Sequence, residues 1–275
     1  MVGTLTSCRN PPAPPPVSEP DRLAARGAGA LREGDLRTAD RLYRDSLQAA
    51  RKSGDGAAAA RALHHLALVA LAAGQPEEAR LWVDQIVVTE VARGRLAEHA
   101  LLRGRVLTAL DHRAEAAEAL ASVRPEDRDA WPEALRLRLE LATRAADWPG
   151  VERLAADLPA DDPDRILALA RRTRALQSPA AGADALRQAA EQARRAGWPR
   201  TAARAYGEAA EAALAAGRAE AALDAALEAA QLHHAFGRPA EVEAALVQAR
   251  AAAEAGVGES AHRRLEAFAA EREGR

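Results

Sequence analysis

The chain has 275 residues, with 38 Lys+Arg against 40 Asp+Glu, and the resulting formal charge of -2 gives no electrostatic case for a nucleic-acid-binding or membrane-surface protein. Aromatic residues make up only 3% and alanine dominates the apolar share, so local propensity favours helix almost throughout and offers little for a sheet. A core of alanine and leucine cannot be thick, so the composition predicts an all-α chain of thin layers stacked in a row.

In chain order, residues 1-20 come first as a Pro-rich leader. The stretch "LTSCRNPPAPPP" (5-16) holds the single cysteine, Cys8, which excludes an internal disulfide and a cysteine-rich zinc site. Leu5-Thr6-Ser7-Cys8 resembles the lipobox of bacterial lipoproteins, in which such a cysteine is lipidated and becomes the new N-terminus. The proline run that follows has the composition of a semi-extended spacer. The resemblance implies a lipid anchor at Cys8, a tether, and a place in the cell envelope, with Arg9 matching lipoproteins sent to the outer membrane. Seven residues before Cys8 are too few for a signal peptide, so this reading takes "MVGTLTS" as the end of a longer one. The alternative is a cytoplasmic protein with a Pro-rich leader and a chance cysteine. No later run reaches the roughly 18 apolar residues of a membrane span.

From residue 21 to 272 the sequence repeats itself. "REGDLRTADRLYRDSL" (32-47), "LAAGQPEEARLWVDQI" (71-86), "TALDHRAEAAEALASV" (108-123), "RAADWPGVERLAADL" (144-158) and "LAAGRAEAALDAALEAA" (214-230) each pair a short turn with a small residue five positions on. Gly34, Gly74 and Gly217 open three of the turns, and Ala39, Ala79, Ala116 and Ala222 take the small position, where a short side chain lets two helices approach. Upstream of each turn lies another helical stretch, as in Leu63, Leu66, Val69 and Leu71. Seven hairpins are predicted, over 21-52, 56-92, 95-123, 129-158, 162-196, 199-235 and 239-272. The breakers between them place Gly at helix ends and Pro or Asp at helix starts.

These units resemble tetratricopeptide repeats. The first matches through Gly27, Ala39 and Tyr43, the second through Leu63, Leu66, Ala79 and Val83, and the third through Gly104, Ala116 and Leu120. The fourth has Val151 where alanine is usual, and the fifth is matched only by length and helicity. The resemblance implies a tetratricopeptide-like α-solenoid of about seven helix-turn-helix hairpins, whose first helices line a concave groove for other proteins or peptides. Carried onto this sequence, the groove positions are Arg61, His64 and Leu68, then Glu98, Leu101 and Arg105, then Glu133, Arg136, Glu140 and Arg144. The plainer account of the last four is a solvated face laced by Arg136 with Glu140 and Glu140 with Arg144. Tetratricopeptide domains that grip acidic chaperone tails use Lys and Asn in the groove. Here Lys52 is the only lysine, expected in an inter-repeat loop, and Asn10 the only asparagine, so that partner class is set aside.

Little in the sequence points to catalysis, a cofactor or a metal. His64-His65 and His233-His234 are adjacent, so their side chains diverge by about 100° on a helix and cannot share one metal ion as an i,i+4 pair would. One ring of each pair is expected to be packed and the other wet. "RGAGA" (26-30) has no preceding strand and reads as close packing, while Asp161-Asp162 and Glu77-Glu78 read as helix-start caps. The arginine clusters at 136-140, 171-174 and 262-264 lack aromatic platforms and interleave with acids, so nucleic acid is not an expected partner.

Overall fold

The computed structural model describes residues 17–86, 95–255 and 258–272. Among them are fourteen α-helices in sequence: α1 (Glu19–Arg32), α2 (Leu36–Ser53), α3 (Gly56–Ala72), α4 (Pro76–Asp84), α5 (Leu96–Ala109), α6 (Arg113–Ala121), α7 (Trp131–Arg144), α8 (Trp148–Ala156), α9 (Pro163–Leu176), α10 (Pro179–Arg195), α11 (Pro199–Ala215), α12 (Ala219–Ala235), α13 (Pro239–Glu254) and α14 (Gly258–Arg272). They form seven hairpins close to the expected boundaries. Lys52 is the exception to the expected placement, since it lies in the last turn of α2 and not in a loop. Cys8 and Asn10 lie outside the described residues.

The helices start where the chemistry allows. Ser18, Asp35, Asp55, Asp147, Asp162 and Ser178 each cap a helix by accepting a backbone N–H, and eight of the described helices carry Pro in their first turn, where no N–H partner is lost. The turns inside the first, second and sixth hairpins use a left-handed glycine, Gly34, Gly74 and Gly217 at φ 79°, 72° and 70°, whereas the fifth turns through the extended Gln177. In the third and fourth hairpins the same place is taken by Asp111 at φ 58° and Ala146 at φ 54°.

The expected repeat region separates into two compact units, divided between Ser122 and Val123. The first unit holds the hairpins α1–α2, α3–α4 and α5–α6, and the second holds α7–α8, α9–α10, α11–α12 and α13–α14. Within each unit every helix packs on its hairpin partner, and the first helices of successive hairpins also touch. Ala39, Ala79, Ala116 and Ala222 are completely buried, and Val151 fills the corresponding place in the fourth hairpin at no cost in exposure. The largest apolar cluster, in the second unit, is built mainly of alanine from α10 to α13 around Leu186, Tyr206, Leu223 and Leu246. Small side chains permit the close approach: a Cβ on Gly104 would lie 2.5 Å from Leu120 Cδ2, and one on Gly182 would lie 2.7 Å from the Arg174 Cα. Phe268 of the last hairpin is buried.

Candidate functional site

In the first unit the candidate groove residues lie on α3 and α5. Asp55 caps α3 by accepting from the Ala58 N–H at 2.8 Å, and the first turns that follow set Arg61 toward α1. Arg61 pairs with Asp21 at 2.8 Å. A hydrogen bond from Ser18, and then Arg61, holds the Asp21 carboxyl below its ordinary range. His64 and His65 follow on the same helix. Their rings meet edge-on at 5.7 Å, and His65 stacks on the fully buried Tyr43 at 4.8 Å and 11°. Both rings are half-buried, so the expected split into one packed and one wet ring does not hold for this pair.

Burial, then the neighbouring His65, His99, Arg95 and Arg105, pushes His64 down to about 4, so the ring is neutral at pH 7. Burial lowers His65 and His99 as well. Among the described residues the Tyr43 hydroxyl and the Nδ1 atoms of His65 and His99 find no hydrogen-bond partner. Leu101 is buried at 8% exposure and belongs to the interior, while Leu68 packs partly into the cluster between α3, α4 and α5. Glu98 lies 4.0 Å from Arg95, and Arg105 is half-buried and partnered. Among the described residues no group of three His, Cys, Asp or Glu side chains is placed to hold a metal ion.

In the second unit the structure brings together more than the sequence indicated. A cleft of about 260 Å³ runs along α7, α9 and α11, lined by Glu133, Arg136 and Glu140 together with Asp164, Arg171 and Arg204. Arg136 does not pair with Glu140. Its guanidinium donates to Asp162 at 2.8 Å and lies 3.8 Å from Asp164, because Asp162 caps α9 at the cleft wall with a buried carboxylate that needs a counter-charge. Arg144 does pair with Glu140, at 2.6 Å. Arg204 of α11 faces Asp164 at 3.7 Å, so Asp164 is held from both sides. Burial, then the adjacent Asp162, nevertheless pushes the Asp164 carboxyl up.

Further along, Arg171 makes a two-pronged ion pair with Glu208, its Nε donating at 2.8 Å, and Arg174 reaches Glu211 at 3.5 Å. Gln248 of α13 donates to the same Glu211 at 3.2 Å. These rungs share one spacing, 37 residues. The first helices of successive hairpins thus form a ladder in which the arginine cluster at 171-174 is consumed internally. Sequence reasoning missed Asp164, Arg171, Arg204 and Glu208 because groove positions were carried over only onto the second to fourth hairpins, whereas these residues lie in the fifth and sixth. The signal was the recurrence of opposite charges at 171/208 and 174/211.

The sequence matches no protein-family model, and it matches no curated protein. Its fold is similar to that of a tetratricopeptide repeat protein from Parabacteroides merdae ATCC 43184, with a TM-score of 0.58 at 14% identity over 90% of this chain and 98% of that one. A looser similarity links it to PilW, a widely conserved type IV pilus biogenesis factor, with a TM-score of 0.45 at 15% identity over 90% of this chain and 98% of PilW. At such identities the likeness speaks to fold alone, and the first of them makes the architecture tetratricopeptide-like.

Proposed function

We propose that the chain is a non-enzymatic scaffold that holds a segment of another protein against the first-helix face of its hairpins, with the cleft along α7, α9 and α11 as the main seat. The observation that carries this reading is the ladder itself: Arg136, Asp164, Arg171, Arg204 and Glu208 are fixed by one another before any partner arrives. A preformed cleft binds with little ordering cost. The test is a photo-crosslinking amino acid at Leu137, which lines the cleft, beside a control at the exposed Arg153 on α8. A discrete adduct from position 137, absent from 153 and lost on Arg204→Glu, is the expected result; equal labelling from both sites would sink the reading.

We further propose that the scaffold is tethered to the envelope, outer membrane favoured, through a lipid on Cys8. Support comes from the Leu5-Thr6-Ser7-Cys8 motif, the absence of any second cysteine, and the proline spacer. The intact mass of the protein made from its own upstream region, with Cys8→Ala beside it, decides the matter. A chain beginning at a lipid-bearing Cys8 supports the anchor. A free thiol at Cys8 in a chain beginning at Met1 or Val2 favours a soluble cytoplasmic adaptor.

A further inference from the structure

The cleft along α7, α9 and α11 is lined by six charged side chains, and each of them already has a partner. Arg136 is held by Asp162 at 2.8 Å, Arg171 by both carboxylate oxygens of Glu208, and Glu140 by Arg144 at 2.6 Å. Asp164 and Arg204 face each other at 3.7 Å, and Glu133 is engaged as well. Asp162, Glu208 and Arg144 do not line the cleft themselves, so its charges are neutralised largely from outside it. The rest of the lining is Leu137, Leu139, Leu167, Ala168 and Thr143. The Thr143 hydroxyl donates back to the Leu139 carbonyl at 2.8 Å, which uses its one proton.

What the cleft has left to offer is apolar contact. A charged group entering it must displace one member of an existing pair and leave the other unmatched in a half-buried place, whereas an apolar group disturbs no pair. Size narrows the choice further. At about 260 Å³ the cleft falls below the roughly 300–1,000 Å³ of small-molecule sites and suits one or two aliphatic side chains.

We propose that the partner segment anchors in this cleft through an uncharged aliphatic side chain of about leucine size, and that the closed set of ion pairs around the cleft excludes lysine, arginine, aspartate and glutamate from that position. The inference rests on the reading of the cleft as a partner's seat and adds which side chain the seat accepts.

The preference can be measured without the partner in hand. Cys8 is the only cysteine, so Cys8→Ala with Thr143→Cys leaves a single thiol, placed in the cleft with sulfur standing in for the hydroxyl. The full-length protein is equilibrated under a fixed excess of reductant with cysteamine disulfides carrying N-acetylated alanine, leucine, lysine or glutamate, and the labelled fractions are read by intact mass. The same background with Arg153→Cys, on the exposed side of α8, reports the intrinsic reactivity of each probe.

Relative to that control, leucine is expected to exceed alanine by about fivefold or more, and lysine and glutamate to stay at or below alanine. Adding Arg204→Ala leaves Asp164 only its 3.8 Å contact with Arg136 and is expected to raise the lysine probe severalfold. Arg204 is exposed, so its removal leaves the fold intact. Lysine or glutamate above leucine, four probes that label alike, or lysine still excluded from the Arg204→Ala protein overturns the proposal. The two readings fail separately. A discrete photo-adduct at position 137 beside no leucine preference removes the anchor alone, and a leucine preference beside no adduct removes the partner's seat.

Discussion

Ala146 is an L-residue in a left-handed turn position that three other hairpins give to glycine. The Cβ of a non-glycine residue there crowds the following carbonyl at a cost of roughly 1–2 kcal/mol, partly offset by the greater freedom a glycine gives the unfolded chain. Ala146→Gly is therefore expected to stabilise the second unit by about 0.5–1 kcal/mol, seen as a higher denaturant midpoint at unchanged slope. A midpoint that stays put or falls would mean that the turn is not strained. Asp111→Gly should gain less, since the Asp111 carboxylate also pairs with Arg113 at 2.8 Å. The turn's existence was legible in "ALDHRAE" and "RAADWPG" from spacing alone, but its handedness was not, because neither stretch has glycine at that place.

Among elements, the packing of α9 against α11 depends on a pair that is neither exposed nor fully dry: Arg171 and Glu208 are 24% and 20% exposed. Burial strengthens the attraction and also raises the penalty for leaving either charge alone. Arg171→Ala and Glu208→Ala are each expected to cost about 2 kcal/mol, and the double variant far less than their sum. The same cycle on Arg195 and Glu191, which are 3.9 Å apart with the arginine 79% exposed, should show no coupling. Hairpin number, boundaries and the buried alanines could be read from the sequence because turn chemistry and small-residue spacing are local. The partner of Arg136 could not. Its nearest acids in sequence are Glu133 and Glu140 on the same helix, whereas its partner Asp162 is 26 residues away and becomes a neighbour only once α7 and α9 are packed. Leu101, carried onto the groove by the resemblance, is 8% exposed and belongs to the interior.

At the scale of the whole molecule, the α3–α5 packing of the first unit and the α9–α11 packing of the second carry opposite responses to acid, while His233 on α12 is lowered by burial like the histidines of the first unit. In the first, the folded state keeps His64 neutral at about 4 against an ordinary 6.5, with His65 and His99 also lowered. Between those values the unfolded chain binds more protons than the folded one, so the histidines' contribution is intact above pH 6.5 and declines as pH falls. In the second unit Asp164 is raised, so over its own range the folded state binds the extra proton and gains stability as pH falls. Carboxylates held low, such as Asp21 and Glu241, begin to matter only near and below their ordinary 3.8 and 4.5. Between pH 6.5 and about 4.5, hydrogen-exchange protection, after correction for the intrinsic slowing of exchange in acid, is therefore expected to fall in α3 and α5 before α9 and α11, and His64→Gln should reduce that difference. A uniform loss of protection in these four helices would contradict the assignment. The ladder has a kinetic corollary too. With its arginines committed to carboxylates on the next hairpin, the face projects little long-range field despite its density of charge. A partner must then find it by unassisted diffusion, at rates near 10⁵–10⁶ M⁻¹s⁻¹ that vary little with ionic strength, and how long it stays will rest on how slowly it leaves.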